Sequence, residues 1–144
     1  MDILAGLNPA QRDAVQHIEG PLLIIAGPGS GKTRVIVHRI AYLVRVCGVT
    51  PHHIMAVTFT NKAAKEMRDR LLAILGPAGV EDLTLGTFHA ICARILRREG
   101  RHIGLDPAFS IYDGEDQLSV LKRAMDEAGV DSKRHPPRAI LSAI

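Results

Sequence analysis

The sequence predicts an α/β fold in which a parallel sheet with flanking helices is followed by the start of a helical region. Three short apolar runs, at residues 22–25, 54–57 and 83–85, alternate with longer stretches of helical periodicity. Such runs are typical of strands buried on both faces, and helices between them indicate parallel pairing through crossover connections. After Gly104 the pattern changes to a brief extended piece, Phe109 to Tyr112, followed by helical patterns. We therefore expect one sheet-containing part and one helical part.

Capping residues and breakers bound the helices predicted in the first part. Asn8, Pro9 and Gln11 have the order of an N-cap, a first-turn proline and a capping box. Three further helices are predicted at residues 32–46, 61–75 and 88–101. Asn61 is the predicted cap of the second of these, and Gly76 its stop.

Apolar residues at helical spacing identify candidate core positions on two of these helices. On the helix at 32–46 they are Val35, Ile36, Ile40, Leu43 and Val44. On the helix at 61–75 they are Ala64, Met67, Leu71 and Leu75. We expect both stripes to pack against the sheet.

Two helices are predicted in the second part. Asp113 caps the first, which Gly129 stops, and Pro136 with Pro137 opens the second. The apolar stripe of the last helix is still running where the sequence ends at Ile144, so we expect these residues to be a fragment of a longer protein.

The composition is that of a globular protein with few aromatic residues. The 144 residues carry a net charge of +3, with three Phe, two Tyr and no Trp. No apolar run reaches the ~18 residues of a membrane span, and no secretory signal opens the chain, so a cytoplasmic protein without membrane partners is predicted. Cys47 and Cys92 have no nearby cysteine partner and are expected to be buried free thiols.

The segment at residues 26–33 has the pattern of a phosphate-binding P-loop. It follows a predicted strand and opens a predicted helix, as that motif requires. Glycines let successive N–H groups face phosphates, Lys32 places a charge near the β- and γ-phosphates, and the Thr33 hydroxyl can bind Mg²⁺. Ala26 stands where the strict motif has glycine. The residues predicted to bind a nucleoside triphosphate are Ala26, Gly27, Pro28, Gly29, Ser30, Gly31, Lys32 and Thr33, with Lys32 and Thr33 also catalytic.

Polar and aromatic residues follow the other two predicted strands. In a parallel sheet the carboxyl ends of strands share one edge, where ligands bind. Phe59 and Phe88 lie at this edge and could stack nucleobases, or could pack under the helices that follow. Arginines spaced on one predicted helical face could contact a nucleic-acid backbone or form a solvated surface; they are Arg94, Arg97, Arg98 and Arg101.

Four sequence blocks together resemble the N-terminal motifs of UvrD/PcrA/Rep-type superfamily 1 DNA helicases. They read LNPAQRDAV, AGPGSGKTRV, VTFTNKAAKEMRDRL and GTFHAICARILRR, in this order through most of the chain. The resemblance implies an ATP- and Mg²⁺-dependent 3′–5′ helicase that translocates on single-stranded DNA and acts at duplex junctions. Residues 1–110 would be part of a RecA-like motor domain 1A, and residues 111–144 the beginning of the helical subdomain 1B.

The same resemblance implies roles for individual residues. Gln11 would read the adenine edge, for which a carboxamide has a donor and an acceptor. Arg34 would lie against the adenine face. The residues predicted to contact single-stranded DNA are Phe59, Thr60, Asn61, Lys62, Thr87, Phe88, His89 and Arg97.

Other catalytic parts of such helicases are expected beyond residue 144. They are the acidic Walker B pair, the second RecA-like domain and its arginine fingers, so the fragment alone is expected to be inactive. The run at 111–115 is too short for a Walker B strand, and Asp113 is better explained as a helix cap.

Two other functions stay open at this point. A small P-loop kinase or nucleotide-binding module, complete as it stands, would share the P-loop but would need its own acidic Mg²⁺ partner. A non-enzymatic single-strand binder would rely on the basic stripe alone, with weak and salt-sensitive affinity.

Overall fold

Two parallel strands form the sheet of this computed structural model, which describes residues 2–144. Strand β1 (Met55–Thr58) pairs with β2 (Thr84–Thr87) in the register that sets Met55 beside Thr84 and Thr58 beside Thr87. Helix α3 (Asn61–Leu75) lies between them in the chain and provides the crossover that parallel pairing requires. The predicted parallel connection of these two strands is confirmed.

The remaining helices belong to two compact units, one ending at Arg98 and the other spanning Glu99–Ile144. The other α-helices are α1 (Pro9–Gln16), α2 (Lys32–Arg45), α4 (Phe88–Glu99), α5 (Gly114–Glu127) and α6 (Pro137–Ala143). Short 3₁₀ segments span Pro51–His53, Pro77–Gly79 and Gly100–Ile103. Among residues 2–144, every helix is too short or too polar to cross a bilayer. The expected boundary between residues 110 and 111 stays a prediction.

The core of the first unit lies between one face of the sheet and helices α2 and α3. Leu71 on α3 is fully buried, and Ala56 of β1 and Leu85 of β2 belong to the same buried cluster. All four positions predicted on α3 are buried, which confirms that stripe. On α2 the stripe is partly wrong, because Ile36 is 41% exposed whereas Val37 is 2% exposed.

The predicted strand at residues 22–25 is wrong. This segment is irregular, and its backbone pairs with no other segment in the described part of the chain. Leu23 and Ile25 are 83% and 90% exposed. An apolar run indicates a segment that burial would favour, but a strand also needs a neighbour that satisfies its N–H and C=O groups. The two-stranded sheet is therefore smaller than the RecA-like sheet that we expected.

Two smaller expectations also need correction. Thr60, not Asn61, is the N-cap of α3, because Thr60 has extended backbone angles and its Oγ1 accepts from the Ala63 N–H at 3.1 Å. Both free cysteines are exposed, not buried. Cys92 follows the buried Ile91 on α4, and one residue turns a helix by about 100°.

The second unit begins its helices as the sequence predicts. Asp113 is the N-cap of α5, accepts from the Glu115 and Asp116 N–H groups, and forms a capping box with Asp116. This confirms Asp113 as a helix cap. Gly129, with φ of 66°, follows the end of α5, and Met125 is buried within the unit.

Candidate nucleotide site and nucleic-acid surface

The P-loop adopts a backbone conformation that two of its glycines make possible. Gly29 and Gly31 have φ of 73° and 87°, a left-handed region that costs residues with a Cβ about 1–2 kcal/mol. Gly31 is also the N-cap of α2. A Cβ on Gly31 would lie 3.0 Å from Nε2 of Gln11. Glycine is therefore needed here for its conformation and for the close approach of α1.

Polar contacts within the loop hold its shape. The Lys32 ammonium donates to the carbonyl oxygens of Ala26 and Gly27 at 3.0 and 2.8 Å. The Ser30 hydroxyl donates to the Gly27 carbonyl at 2.7 Å. These bonds place a positive charge on the loop at the start of α2, where helix N–H groups also favour anions. The arrangement suits a phosphate group, to which the ammonium can transfer its bonds.

The Gln11 carboxamide bonds to the N-cap of its own helix α1 through one end and to the P-loop through the other. Oε1 accepts from the Asn8 N–H at 3.1 Å, and Nε2 donates to the Ser30 carbonyl at 3.1 Å. The first bond completes the capping box predicted from the sequence, since Asn8 Oδ1 also accepts from the Gln11 N–H. A carboxamide has two N–H donors and two acceptor lone pairs. One donor and one acceptor of Gln11 therefore remain for a ligand.

A cavity of about 210 Å³ lies between α1 and the P-loop. Its walls include the apolar side chains of Ala14, Ile24 and Val35, and the polar groups of Gln11 and Lys32 reach it. An apolar slot with a few convergent polar groups is typical of a small-molecule site. The cavity therefore has apolar side chains together with the Gln11 carboxamide in its lining.

Arg34 and Thr33 lie in the first turn of α2 beside the loop. The guanidinium of Arg34 lies next to Gly6, where a Cβ would come within 2.8 Å of Nη2. Arg34 is not among the residues that line the cavity. Contact of Arg34 with an adenine face stays a prediction.

Two phenylalanine rings form an exposed pair at the carboxyl ends of β1 and β2. The rings of Phe59 and Phe88 have centroids 5.4 Å apart and are tilted by 45°. Phe59 is 90% exposed and Phe88 is 49% exposed. Rings that pack under a helix would be covered, so the exposed pair is better suited to contact a ligand.

Hydroxyl groups of Thr58 and Thr87 make hydrogen bonds at this sheet edge. The buried Thr58 donates from Oγ1 to the Thr60 carbonyl at 3.1 Å and reaches the Gly86 carbonyl at 3.5 Å. Thr87 Oγ1 accepts from the Ala90 N–H at 3.3 Å. Thr58, which directly precedes Phe59, therefore contacts both the residue after Phe59 and Gly86, two residues before Phe88. Three more predicted contact residues are exposed at this edge: Asn61, Lys62 and His89.

The basic stripe is shorter than the sequence predicts. Helix α4 ends at Glu99, so it carries Arg94, Arg97 and Arg98, whereas Arg101 lies in a 3₁₀ segment. All three arginines on α4 are exposed.

Known proteins resemble this chain over nearly its whole length. Residues 7–144 match the family described as the UvrD/REP helicase N-terminal domain. The chain belongs to this family. A protein named ATP-dependent DNA helicase PcrA from Bacillus subtilis (strain 168) is 54% identical over 142 residues, which cover 99% of this chain and 19% of that protein. The resemblance inferred from the four sequence blocks is confirmed.

Other bacterial relatives of this UvrD/REP helicase domain carry the same name. The protein from Leuconostoc citreum is 50% identical over 139 residues, covering 96% of this chain and 19% of the relative. That from Staphylococcus aureus (strain Mu50 / ATCC 700699) is 47% identical over 142 residues, covering 99% and 19%. The chain thus spans about a fifth of the length of these relatives.

The sequence did not identify several residues that shape the two sites of this UvrD/REP helicase domain. Ala14 and Ile24 line the cavity, and Thr58 supports the phenylalanine pair. A signal existed for Ala14, which lies three residues after Gln11 and so on the same helical face. Nothing in the sequence pattern indicated that Ile24 would line a cavity, because the apolar run at 22–25 was assigned to a strand.

Proposed function

We propose that this chain is the ATP-binding and DNA-contacting N-terminal portion of an ATP-dependent 3′–5′ DNA helicase or translocase. In this function, ATP binds between α1 and the P-loop, and single-stranded DNA lies across the phenylalanine pair. Support comes from the geometry of both sites and from relatives named ATP-dependent DNA helicase PcrA. The polarity is carried over from the family resemblance.

The observation that carries this proposal is the one donor and one acceptor that the Gln11 carboxamide leaves free beside the cavity. Its remaining donor and acceptor match adenine, which presents the N7 acceptor and the N6 amino donor on one edge. Guanine presents two acceptors, N7 and O6, on the corresponding edge. Guanine would thus leave the acceptor of Gln11 unpaired, and a lost hydrogen bond of this kind costs about 0.5–1.5 kcal/mol.

The phosphates would be held at the start of α2. Lys32 would transfer its hydrogen bonds from the loop carbonyls to the β- and γ-phosphates. The Thr33 hydroxyl would hold Mg²⁺, because a hydroxyl oxygen is a hard ligand of the kind that this ion accepts beside waters and phosphate oxygens. Bound Mg²⁺ would neutralise charge on the phosphates.

Nucleotide competition with Gln11→Ala tests the base assignment. Displacement of a fluorescent adenine nucleotide by ATP and by GTP is measured for the wild-type chain and for this variant. We expect the wild type to prefer ATP by about tenfold and Gln11→Ala to lose most of that preference. Gln16→Ala is the matched control, since Gln16 is exposed at the other end of α1.

Equal affinity of the wild type for ATP and GTP would refute the adenine assignment. It would favour the alternative of an unrelated P-loop kinase or nucleotide-binding module. Loss of preference in Gln16→Ala as well would mean that the whole helix, and not the Gln11 carboxamide, sets the preference.

The DNA surface is tested with an oligothymidylate at low salt. Base–aromatic stacking contributes ~1–3 kcal/mol per base, so Phe59→Ala should weaken binding by about fivefold or more. Val46→Ala removes another exposed apolar side chain, 59% exposed at the C-terminal end of α2, and should change nothing. Arg97→Ala should weaken binding and flatten its salt dependence. If both Phe59→Ala and Arg97→Ala bind like the wild type, the DNA surface lies elsewhere.

Hydrolysis is proposed for the longer protein and not for these 144 residues alone. Closure of a second RecA-like domain on the nucleotide would add arginine fingers, which contribute on the order of 10³-fold or more in related enzymes. Lys32 and Thr33 would be the catalytic contribution of this chain. Purified alone, it should show negligible ATPase activity with or without DNA, and strong DNA-stimulated turnover would contradict this division of roles.

A further inference from the structure

Helix α1 ends in carbonyl groups that its own backbone leaves unpaired. The last four C=O groups of a helix have no intrahelical N–H partner. In α1 these belong to residues 13–16, and α1 has no basic residue in its last turn. The Asp13 carbonyl accepts from the His17 N–H, which leaves the next carbonyl, that of Ala14, for another donor.

Arg39, halfway along α2, supplies that donor. Its Nη1 donates to the Ala14 carbonyl at 2.6 Å, across 25 residues of sequence, and the side chain is half-buried. A guanidinium at a helix C-terminus also interacts favourably with the negative end of the helix dipole. Arg39 therefore fixes the end of α1 to α2.

The position of α1 sets the position of Gln11. Ala14 and Gln11 are three residues apart on one helical face, and both line the cavity beside the P-loop. The Gln11 carboxamide has little room to move against the P-loop. Its Nε2 donates to the Ser30 carbonyl and lies 3.0 Å from the position that a Cβ on Gly31 would take. A small shift of α1 would thus break the Ser30 bond or turn the carboxamide.

We propose that Arg39 is a positioning residue for nucleotide-base selection, acting through the C-terminal end of α1 on the Gln11 carboxamide. This inference rests on the proposed ATP site. Arg39 does not line the cavity and makes no contact with the ligand in this role. Its function is to hold the one remaining donor and acceptor of Gln11 where adenine can use both.

The chain contains a matched control on the same helix. Arg45 of α2 donates from Nη2 to the Ile74 carbonyl at 3.0 Å and reaches the Leu75 carbonyl at 3.4 Å, at the C-terminal end of α3. The two arginines thus make the same kind of bond to two different helices. Only Arg39 bonds to the helix that carries Gln11, so only its loss should change base selection.

The experiment compares Arg39→Ala, Arg39→Lys and Arg45→Ala by ATP and GTP competition and by amide hydrogen exchange. Arg39→Ala should lower the ATP-over-GTP preference by about three- to tenfold, part of what one charge-assisted hydrogen bond contributes. Exchange of the α1 amides should rise by about tenfold, whereas α3 stays protected. Arg39→Lys keeps a donor and should retain part of the ATP preference and part of the protection of the α1 amides. Arg45→Ala should raise exchange near Ile74 and leave the preference unchanged.

The outcomes separate this inference from the proposed function. If the wild type binds no nucleotide or shows no adenine preference, the proposed function fails. Unchanged α1 exchange in Arg39→Ala would then also overturn the claim that the Arg39 bond to the Ala14 carbonyl fixes the end of α1. If the wild type prefers ATP and Arg39→Ala keeps the same preference, the positioning role is wrong. A matching loss of preference in Arg45→Ala would also overturn it, since general destabilisation would then explain both variants.

Discussion

At the carboxyl ends of β1 and β2, Phe59 and Phe88 follow paired strands, whereas the P-loop follows a segment that pairs with no other described strand. The strands below the phenylalanines rest on a buried core that includes Leu71 and Leu85. The segment before the P-loop, residues 22–25, is largely exposed. The two candidate sites therefore differ in structural support: paired strands on a buried core support the phenylalanine pair, whereas an unpaired and exposed segment precedes the P-loop.

Side chains hold the P-loop where the backbone ladder is missing. Gln11 bonds to the Ser30 carbonyl from α1, and Lys32 bonds to two carbonyls within the loop itself. Such contacts are few, and each contributes only about 0.5–1.5 kcal/mol, or up to about 3 kcal/mol for a charged donor. Packing should thus govern the DNA surface, whereas single polar contacts and glycine conformations should govern the nucleotide site.

The largest effect is expected from Leu71→Ala, which opens a cavity under the sheet. Leu71 is fully buried, and Leu-to-Ala changes in cores cost about 2–5 kcal/mol in the free energy of unfolding. Urea unfolding followed by circular dichroism measures this loss. Leu72→Ala, one position along α3 and 37% exposed, is the control and should cost much less. Similar losses for both variants would mean that α3 does not support the sheet as described.

Gly31→Ala should come next, and it separates nucleotide binding from stability. With φ of 87°, Gly31 has a conformation that costs alanine about 1–2 kcal/mol, and the added Cβ would press on Gln11. Gly48→Ala is the matched control, because Gly48 has φ of 70° with nothing within 4 Å of an added Cβ. Both variants should lose similar stability, but only Gly31→Ala should weaken ATP binding, measured by fluorescence titration. Equal nucleotide affinities would contradict a site built on the approach of α1 to the loop.

Periodicity predicted the elements in which one helix face is buried. Ala64, Met67, Leu71 and Leu75 recur at helical spacing, and the structure buries all four. The rule that parallel strands end at one edge also predicted that Phe59 and Phe88 would be near each other, although 29 positions separate them in the chain. Local pattern and topology were sufficient in these cases. The stripe lies within one regular helix, and the two phenylalanines directly follow two paired parallel strands.

Contacts between distant residues could not be predicted in the same way. The apolar run at 22–25 does not reveal whether a strand pairs with it. The bond from Arg39 to the Ala14 carbonyl joins residues 25 apart and depends on how α1 lies on α2, which no local pattern specifies. The P-loop pattern is thus visible in the sequence, whereas the contacts that hold the loop are visible only in the structure.

Thr58→Val tests whether the Thr58 hydroxyl, at the end of β1, helps to hold the phenylalanine pair in place. The change removes the hydroxyl that donates to the Thr60 carbonyl but keeps the volume and β-branching, so it should cost about 1 kcal/mol in stability. Oligothymidylate binding should weaken modestly, because the residues before Phe59 and Phe88 lose their shared contact. Thr84→Val, at the opposite end of β2 and only half-buried, should affect neither quantity. Unchanged DNA binding in Thr58→Val would show that the pair is held without this hydroxyl.

Leu23→Ala should have the smallest effect, although the sequence assigns Leu23 to a buried strand. Because Leu23 is 83% exposed, its truncation removes little contact and should change the free energy of unfolding by less than about 0.5 kcal/mol. The same change at Leu71 should lower the free energy of unfolding several times more. The two variants therefore compare directly how well the segment before the P-loop and the core under the sheet are packed. If Leu23→Ala proves as destabilising as Leu71→Ala in urea unfolding, the segment before the P-loop is packed in solution. The nucleotide site would then rest on a strand, as the sequence predicted, and the contrast between the two sites would be lost.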